Sequence, residues 1–108
     1  MIKIDDNLPL SEQFRLVGEA YVEADAAASL LEETKSAVLA KMMSQQGDLP
    51  VNKREMNVKS SREWVDFITN MVQAREKASL LHVQREYIRM RFHEWQSIEA
   101  TKRQEMRL

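Results

Sequence analysis

From Ser60 to Leu108, apolar side chains return at intervals of three and four residues, the seven-residue period of a helix packed lengthwise on another helix. Trp64, Phe67, Met71, Ala74, Ala78, Leu81, Ile88, Phe92 and Trp95 carry the pattern, with Arg85 interrupting it. The first half of the chain has a seam of the same period through Phe14, Val17, Tyr21, Ala24, Ala28, Leu31, Val38 and Met42, broken by Lys35. Two matched ridges in 108 residues read as the halves of one contact. The predicted fold is therefore all-α, a long antiparallel, coiled-coil-like helical hairpin forming a single domain over 1–108.

The few helix breakers place the bend. Gly18, Gly47, Pro9 and Pro50 are the only glycines and prolines. Residues 1–8 read as an arm, because Ile2 and Ile4 alternate with polar neighbours but no second strand-like segment exists to pair with them. Helix 1 is expected over about 10–46, starting near Pro9, whose missing N–H is not needed in a first turn, with Ser11 as an alternative cap. Gly47-Asp48-Leu49-Pro50 ends it, since glycine tolerates the left-handed conformation after a last turn and proline cannot continue the ladder. A connection follows over about 47–59, within which Asn52 to Asn57 could form a single helical turn or an ordered loop. Ser60-Ser61-Arg62-Glu63 offers a capping box, so helix 2 is expected over about 60–106. At ~1.5 Å per residue it would be roughly 65 to 70 Å long. Its end, from Ile98 to Leu108, loses apolar content and is expected to fray, with Met106 and Leu108 beyond the seam.

Charge is divided unevenly. Residues 1–46 hold eight acids and four bases, a formal −4, and the remainder carries +3, which gives the net −1. An acidic helix facing a basic one favours antiparallel pairing, although each exposed ion pair adds only ~0 to 1 kcal/mol. A bend near residues 50–55 sets Met42 by Trp64, Ala28 by Ala78, Tyr21 by Arg85 and Phe14 by Phe92. Arg85 is then the polar seam residue that fixes register, with Tyr21 or Asp25 as its partner.

One seam does not use all the apolar surface. Helix 2 has a second row, Val65, Ile68, Val72, Leu80, Val83, Tyr87 and Met90, and helix 1 has Leu16 and Leu30 beside its main stripe. A helix that is apolar on two sides belongs to a bundle or to a partner's surface. A homodimer forming a four-helix bundle is the expectation, with a protein partner or a third helix over Asn52 to Ser60 as the other ways to cover these rows.

The chain offers no chemistry of its own. Its lack of cysteine removes disulfides and thiolate catalysis and agrees with a reducing, cytoplasmic setting. His82 and His93, the only histidines, would stand ~16 Å apart along one helix, too far to share an ion. No serine has a glycine-flanked elbow, and no glycine-rich loop cradles phosphate. Glu32 and Glu33 sit side by side in a charged context that suits a solvated face. The expectation is a non-enzymatic protein, with no cofactor, metal or small-molecule substrate. The segment Met1 to Leu10 carries Asp5 and Asp6 and lacks the apolar run of a secretory signal, and no stretch reaches the length of a membrane span.

Nucleic acid is the alternative partner. Arg89, Arg91, Lys102, Arg103 and Arg107 line the end of helix 2 with Tyr87, Phe92 and Trp95 interleaved. Helical pairing of Lys59 with Glu63, Arg62 with Asp66 and Glu99 with Arg103, and the nearness of Glu86 and Glu94 to Arg89 and Arg91, neutralises most basic charge locally.

The run Glu86-Tyr87-Ile88-Arg89-Met90-Arg91-Phe92-His93-Glu94-Trp95-Gln96, in a chain of this size and style, resembles small all-helical proteins encoded by bacteriophages and prophages. That resemblance implies a bacterial cytoplasm and an accessory protein acting by contact, such as an inhibitor or adaptor of a host or phage protein. It supplies no site residues.

Overall fold

The computed structural model describes residues 1–107, and Leu108, counted above in the last helix, lies outside the described residues. The chain is all-α, with α1 over Leu10–Ser44, α2 over Val51–Lys59 and α3 over Arg62–Arg107, and it has no strand among the described residues. None of these helices is long and apolar enough to cross a membrane.

Three helices replace the expected two because the connection is itself helical. Pro50 stands just before α2 with φ −55° and ψ 150°, and its carbonyl accepts the Arg54 N–H at 3.0 Å. A proline there fixes the entry angle without removing any bond of the helix. The nine residues of α2 bury Val58 alone, so they carry no apolar period from which a helix could be read. Gly47 takes φ +76°, the left-handed conformation that closes α1 and frees the chain to turn.

Ser61, not Ser60, caps α3. Its hydroxyl donates to the Val58 carbonyl at 2.6 Å and accepts the Trp64 N–H at 3.3 Å, so one side chain ends α2 and starts α3. With Ser61 at the cap, the third helical position is Trp64, and the expected reciprocal bond from Glu63 has no place. Ser60 instead closes α2, its N–H donating to the Met56 carbonyl. At the other end, α3 stays helical through Arg107, across the segment expected to fray.

Contacts gather the chain into two compact units, one joining Met1–Glu23 to Ser79–Leu108 and the other running Ala24–Ala78. In the first unit the core is Val17, Leu81 and Ile88, together with the amide of Gln13. In the second it is Ala24, Ala28, Val58, Trp64 and Ala78. Val17, Val58 and Leu81 are fully enclosed, each stabilising its unit by about 1.5 to 3 kcal/mol relative to exposure. Alanine at 28 and 78 leaves no surface exposed at either position, which lets backbones approach closely there. Trp64 stacks on Phe67 with ring centres 5.7 Å apart.

Candidate interaction surface

Polar side chains set into the apolar stripes define what each unit holds and what it leaves open. In the second unit Arg75 is the centre. It donates to Asp25 at 2.7 Å, to both oxygens of Glu32 at 2.6 and 3.0 Å, and to the Ser29 hydroxyl at 3.3 Å. Asp25, Ser29 and Glu32 are spaced by four and three, so one face of α1 presents all three to a single guanidinium. The hydrogen bonds from Arg75 hold the Glu32 carboxyl below the ordinary carboxylate value, and the two acids push the guanidinium pKa further up. Asp25 therefore serves Arg75 and not Arg85, and Glu32 is part of an ion-pair cluster and not of a freely solvated face.

In the first unit Arg85 lies with its guanidinium 4.8 Å from the centre of the Tyr21 ring. Its Nη2 is 3.5 Å from His82 Nδ1, and its buried Nε has no hydrogen-bond partner. The His82 ring tilts against Tyr21 at 5.6 Å, where pairing with Glu86 was the expectation. Glu86 turns instead toward Arg89, at 3.7 Å. Two further pairings differ from expectation in the same way: Lys59 bonds Glu55 within α2, since the break at Ser60 takes Glu63 out of its register, and Glu99 pairs with Lys102.

Two glutamines fasten the arm. The Gln84 amide accepts the Ile2 N–H at 3.0 Å and donates to the Ile2 carbonyl at 2.8 Å, doing for one residue what a neighbouring strand would do. Gln13, 2% exposed, donates to the carbonyls of Leu8 at 2.8 Å and Asp6 at 3.4 Å, and its own oxygen accepts from Arg91 at 3.3 Å. Neither was singled out from sequence. The signal was present, because Gln13 stands four before Val17 and Gln84 four before Ile88, so both amides fall on buried stripes where an unbonded polar group is costly.

Of the predicted seam, Val17, Ala24, Ala28, Trp64, Ala78, Leu81 and Ile88 are buried, and Phe14, Tyr21, Leu31, Val38, Met42, Phe67, Met71 and Ala74 are half-buried. Phe92 and Trp95 depart from the expected burial, at 41% and 52% exposed. They stack on each other at 6.1 Å, but α1 begins only at Leu10, and the arm is drawn back to Gln84.

The second apolar row is open in both units. Val83, Tyr87 and Met90 in the first are about as exposed as polar surface residues, at 59%, 59% and 62%, and Leu80 beside them is exposed too. Leu30, Val65 and Val72 are exposed in the second, whereas Leu16 and Ile68 are half-buried. Arg89, Lys102 and Arg103 are exposed, as is Arg107, while Arg91 is half-buried on Gln13.

At the start of α1, Leu10, Phe14, Ile88 and Phe92 floor an apolar cleft of about 550 Å³, with Arg89 and His93 at its rim. Among the described residues, no group of three or more His, Asp or Glu side chains converges as a metal site would require. No family model, curated protein or solved structure matches this chain.

Proposed function

We propose that this is a non-enzymatic interaction protein that works through the outward apolar face of α3. The observation that carries the proposal is the exposed run Val83, Tyr87 and Met90, at spacings of four and three on one helix. A continuous apolar row of that period is costly in water and gains stability when another helix covers it. A second copy is the first partner to consider. In each unit α1 contacts α3, and within the first, rising numbers on α1 meet falling numbers on α3: Gln13 meets Arg91, Phe14 meets Arg89 and Tyr21 meets Arg85. Those contacts support an antiparallel α1–α3 hairpin, and two such hairpins joined along their outer rows make a four-helix bundle. The resemblance to small phage and prophage accessory proteins fits this mode of action, and a chain without cysteine fits a cytoplasmic setting.

Sedimentation equilibrium tests the proposal. The wild-type chain is expected to sediment as a dimer at micromolar concentration, and Val83→Asp with Tyr87→Asp to shift it to monomer while its helical circular dichroism is kept. A wild-type monomer up to millimolar concentration would remove self-association, and equal capture of a cellular partner by wild-type and doubly substituted protein would remove the α3 face.

Nucleic acid is the second reading, favoured by the exposed, stacked Phe92 and Trp95 alongside Arg89, Lys102, Arg103 and Arg107. It predicts a salt-sensitive mobility shift of labelled oligonucleotide that is lost in Arg103→Glu with Arg107→Glu.

A further inference from the structure

We infer, resting on the assignment of α3 as a protein-binding helix, that the cleft floored by Leu10, Phe14, Ile88 and Phe92 is a docking site for an acidic amphipathic helix of a partner protein. Its floor is the α1–α3 seam itself, carried past the point where this chain supplies a covering helix. Phe92 and Trp95 keep the seam spacing, yet both are exposed because α1 begins at Leu10. A helix laid there would continue the line of α1 and bury the same kind of stripe, the helix-in-groove mode of recognition.

Charge around the cleft selects the partner. Its lining includes Arg89 and His93 and no carboxylate. The first turn of α1, which closes one side, adds the positive end of a helix dipole. Arg89 lies 5.8 Å over the Phe14 ring at the rim, and the nearest carboxylate paired with it, Glu86, is 3.7 Å away and outside the lining. Beyond the cleft, Lys102, Arg103 and Arg107 outnumber Glu99 and Glu105. Helix α1, which covers the preceding part of the same seam, belongs to the acidic part of the chain, and its Asp25 and Glu32 hold Arg75 of α3. A partner helix bearing leucine or phenylalanine at i, i+3, i+4 and i+7 with glutamate on its flanks would repeat both features of that pairing.

The test is fluorescence anisotropy of a labelled, helix-favouring peptide of about eighteen residues with that apolar pattern and glutamate flanks, titrated with the full chain, beside a twin carrying lysine flanks. The glutamate peptide is expected to bind at least about tenfold more tightly than the lysine twin, with the gap narrowing as salt rises. Arg89→Glu with His93→Glu, both exposed, should reverse that preference, and Phe92→Ala should weaken both peptides by about tenfold or more, since it removes a seam anchor. Trp95 fluorescence should shift to the blue on binding, and Trp95→Phe should abolish that shift without abolishing binding. Equal affinity for the two peptides would overturn the inference, as would binding unaffected by the Arg89 and His93 substitutions. So would binding of an oligonucleotide at these residues in place of the peptide, or loss of a dimer in Phe92→Asp with no peptide bound, which would give the cleft to a second copy. A dimer that dissociates in Val83→Asp with Tyr87→Asp while the peptide fails to bind would sink this inference and leave the proposed function standing.

Discussion

Trp64 and Trp95 occupy equivalent places in one apolar stripe on one helix, and they end in opposite surroundings. Trp64 is 6% exposed and Trp95 is 52% exposed. Around Trp64 the chain supplies partners from several directions: Phe67 stacks on it, Ser61 caps its N–H, and its unit also encloses Val58 from α2. Near Trp95 it supplies the stacked Phe92 and the start of α1, and the arm returns toward Gln84. A heptad position thus states which side of a helix is apolar. Burial there requires a second element at the same level, which the period of one helix does not encode. The unit holding Trp64 closes on itself, and the unit holding Trp95 keeps surface to spare.

The largest expected effect breaks this contrast directly. Trp64→Ala should cost about 3 to 5 kcal/mol in urea unfolding, because a large buried side chain leaves a cavity, whereas Trp95→Ala should stay within about 0.5 kcal/mol, as surface changes do. Comparable losses at the two positions would mean that Trp95 is covered in solution by something outside the chain.

A smaller effect sharpens the account of the first unit. Its arm is fastened by side-chain amides and not by secondary structure, so Gln84→Ala should raise the hydrogen-exchange rate of the Ile2 amide markedly and lower global stability by about 0.5 to 1.5 kcal/mol, the net value of a typical hydrogen bond. Unchanged exchange at Ile2 would show that the arm is held by other contacts.

The smallest concerns the Arg75 cluster of the second unit, whose members are partly exposed and therefore screened. Hydrogen bonds from Arg75 hold Glu32 below the ordinary carboxylate value of 4.5. A carboxylate depressed in the folded state adds stability above its unfolded value and loses it as pH falls through the folded one. The stability difference between wild type and Arg75→Gln should therefore be constant near neutral pH and shrink below about pH 4.5. A difference that persists unchanged at pH 2 would assign the role of Arg75 to packing.

The all-α class was legible because the apolar spacing of three and four runs for most of the chain with few glycines and prolines to interrupt it. The end of α1 at Gly47 and the exposure of Val83, Tyr87 and Met90 were legible for the same reason: backbone demand at a left-handed turn and surplus apolar surface are both written locally. Helix α2 was not, since nine mostly polar residues that bury Val58 alone have no period to detect. The Arg75 cluster was half-legible, as Asp25, Ser29 and Glu32 share a face at spacings of four and three, but choosing Arg75 over Arg85 as their partner needed the register of one helix against another. Gln13 and Gln84 were missed because an amide in an apolar stripe looks like a surface residue until the arm it binds is in place.

The central claim is that the outer face of α3 is an unfilled contact surface, and hydroxyl-radical footprinting read by mass spectrometry tests it most directly. Oxidation of Tyr87 and Met90, normalised to Met106 at the far end of α3, should fall severalfold between dilute protein and protein concentrated enough to associate, or saturated with its captured partner. Unaltered oxidation of both residues while the protein is demonstrably associated would place the contact elsewhere and contradict the account.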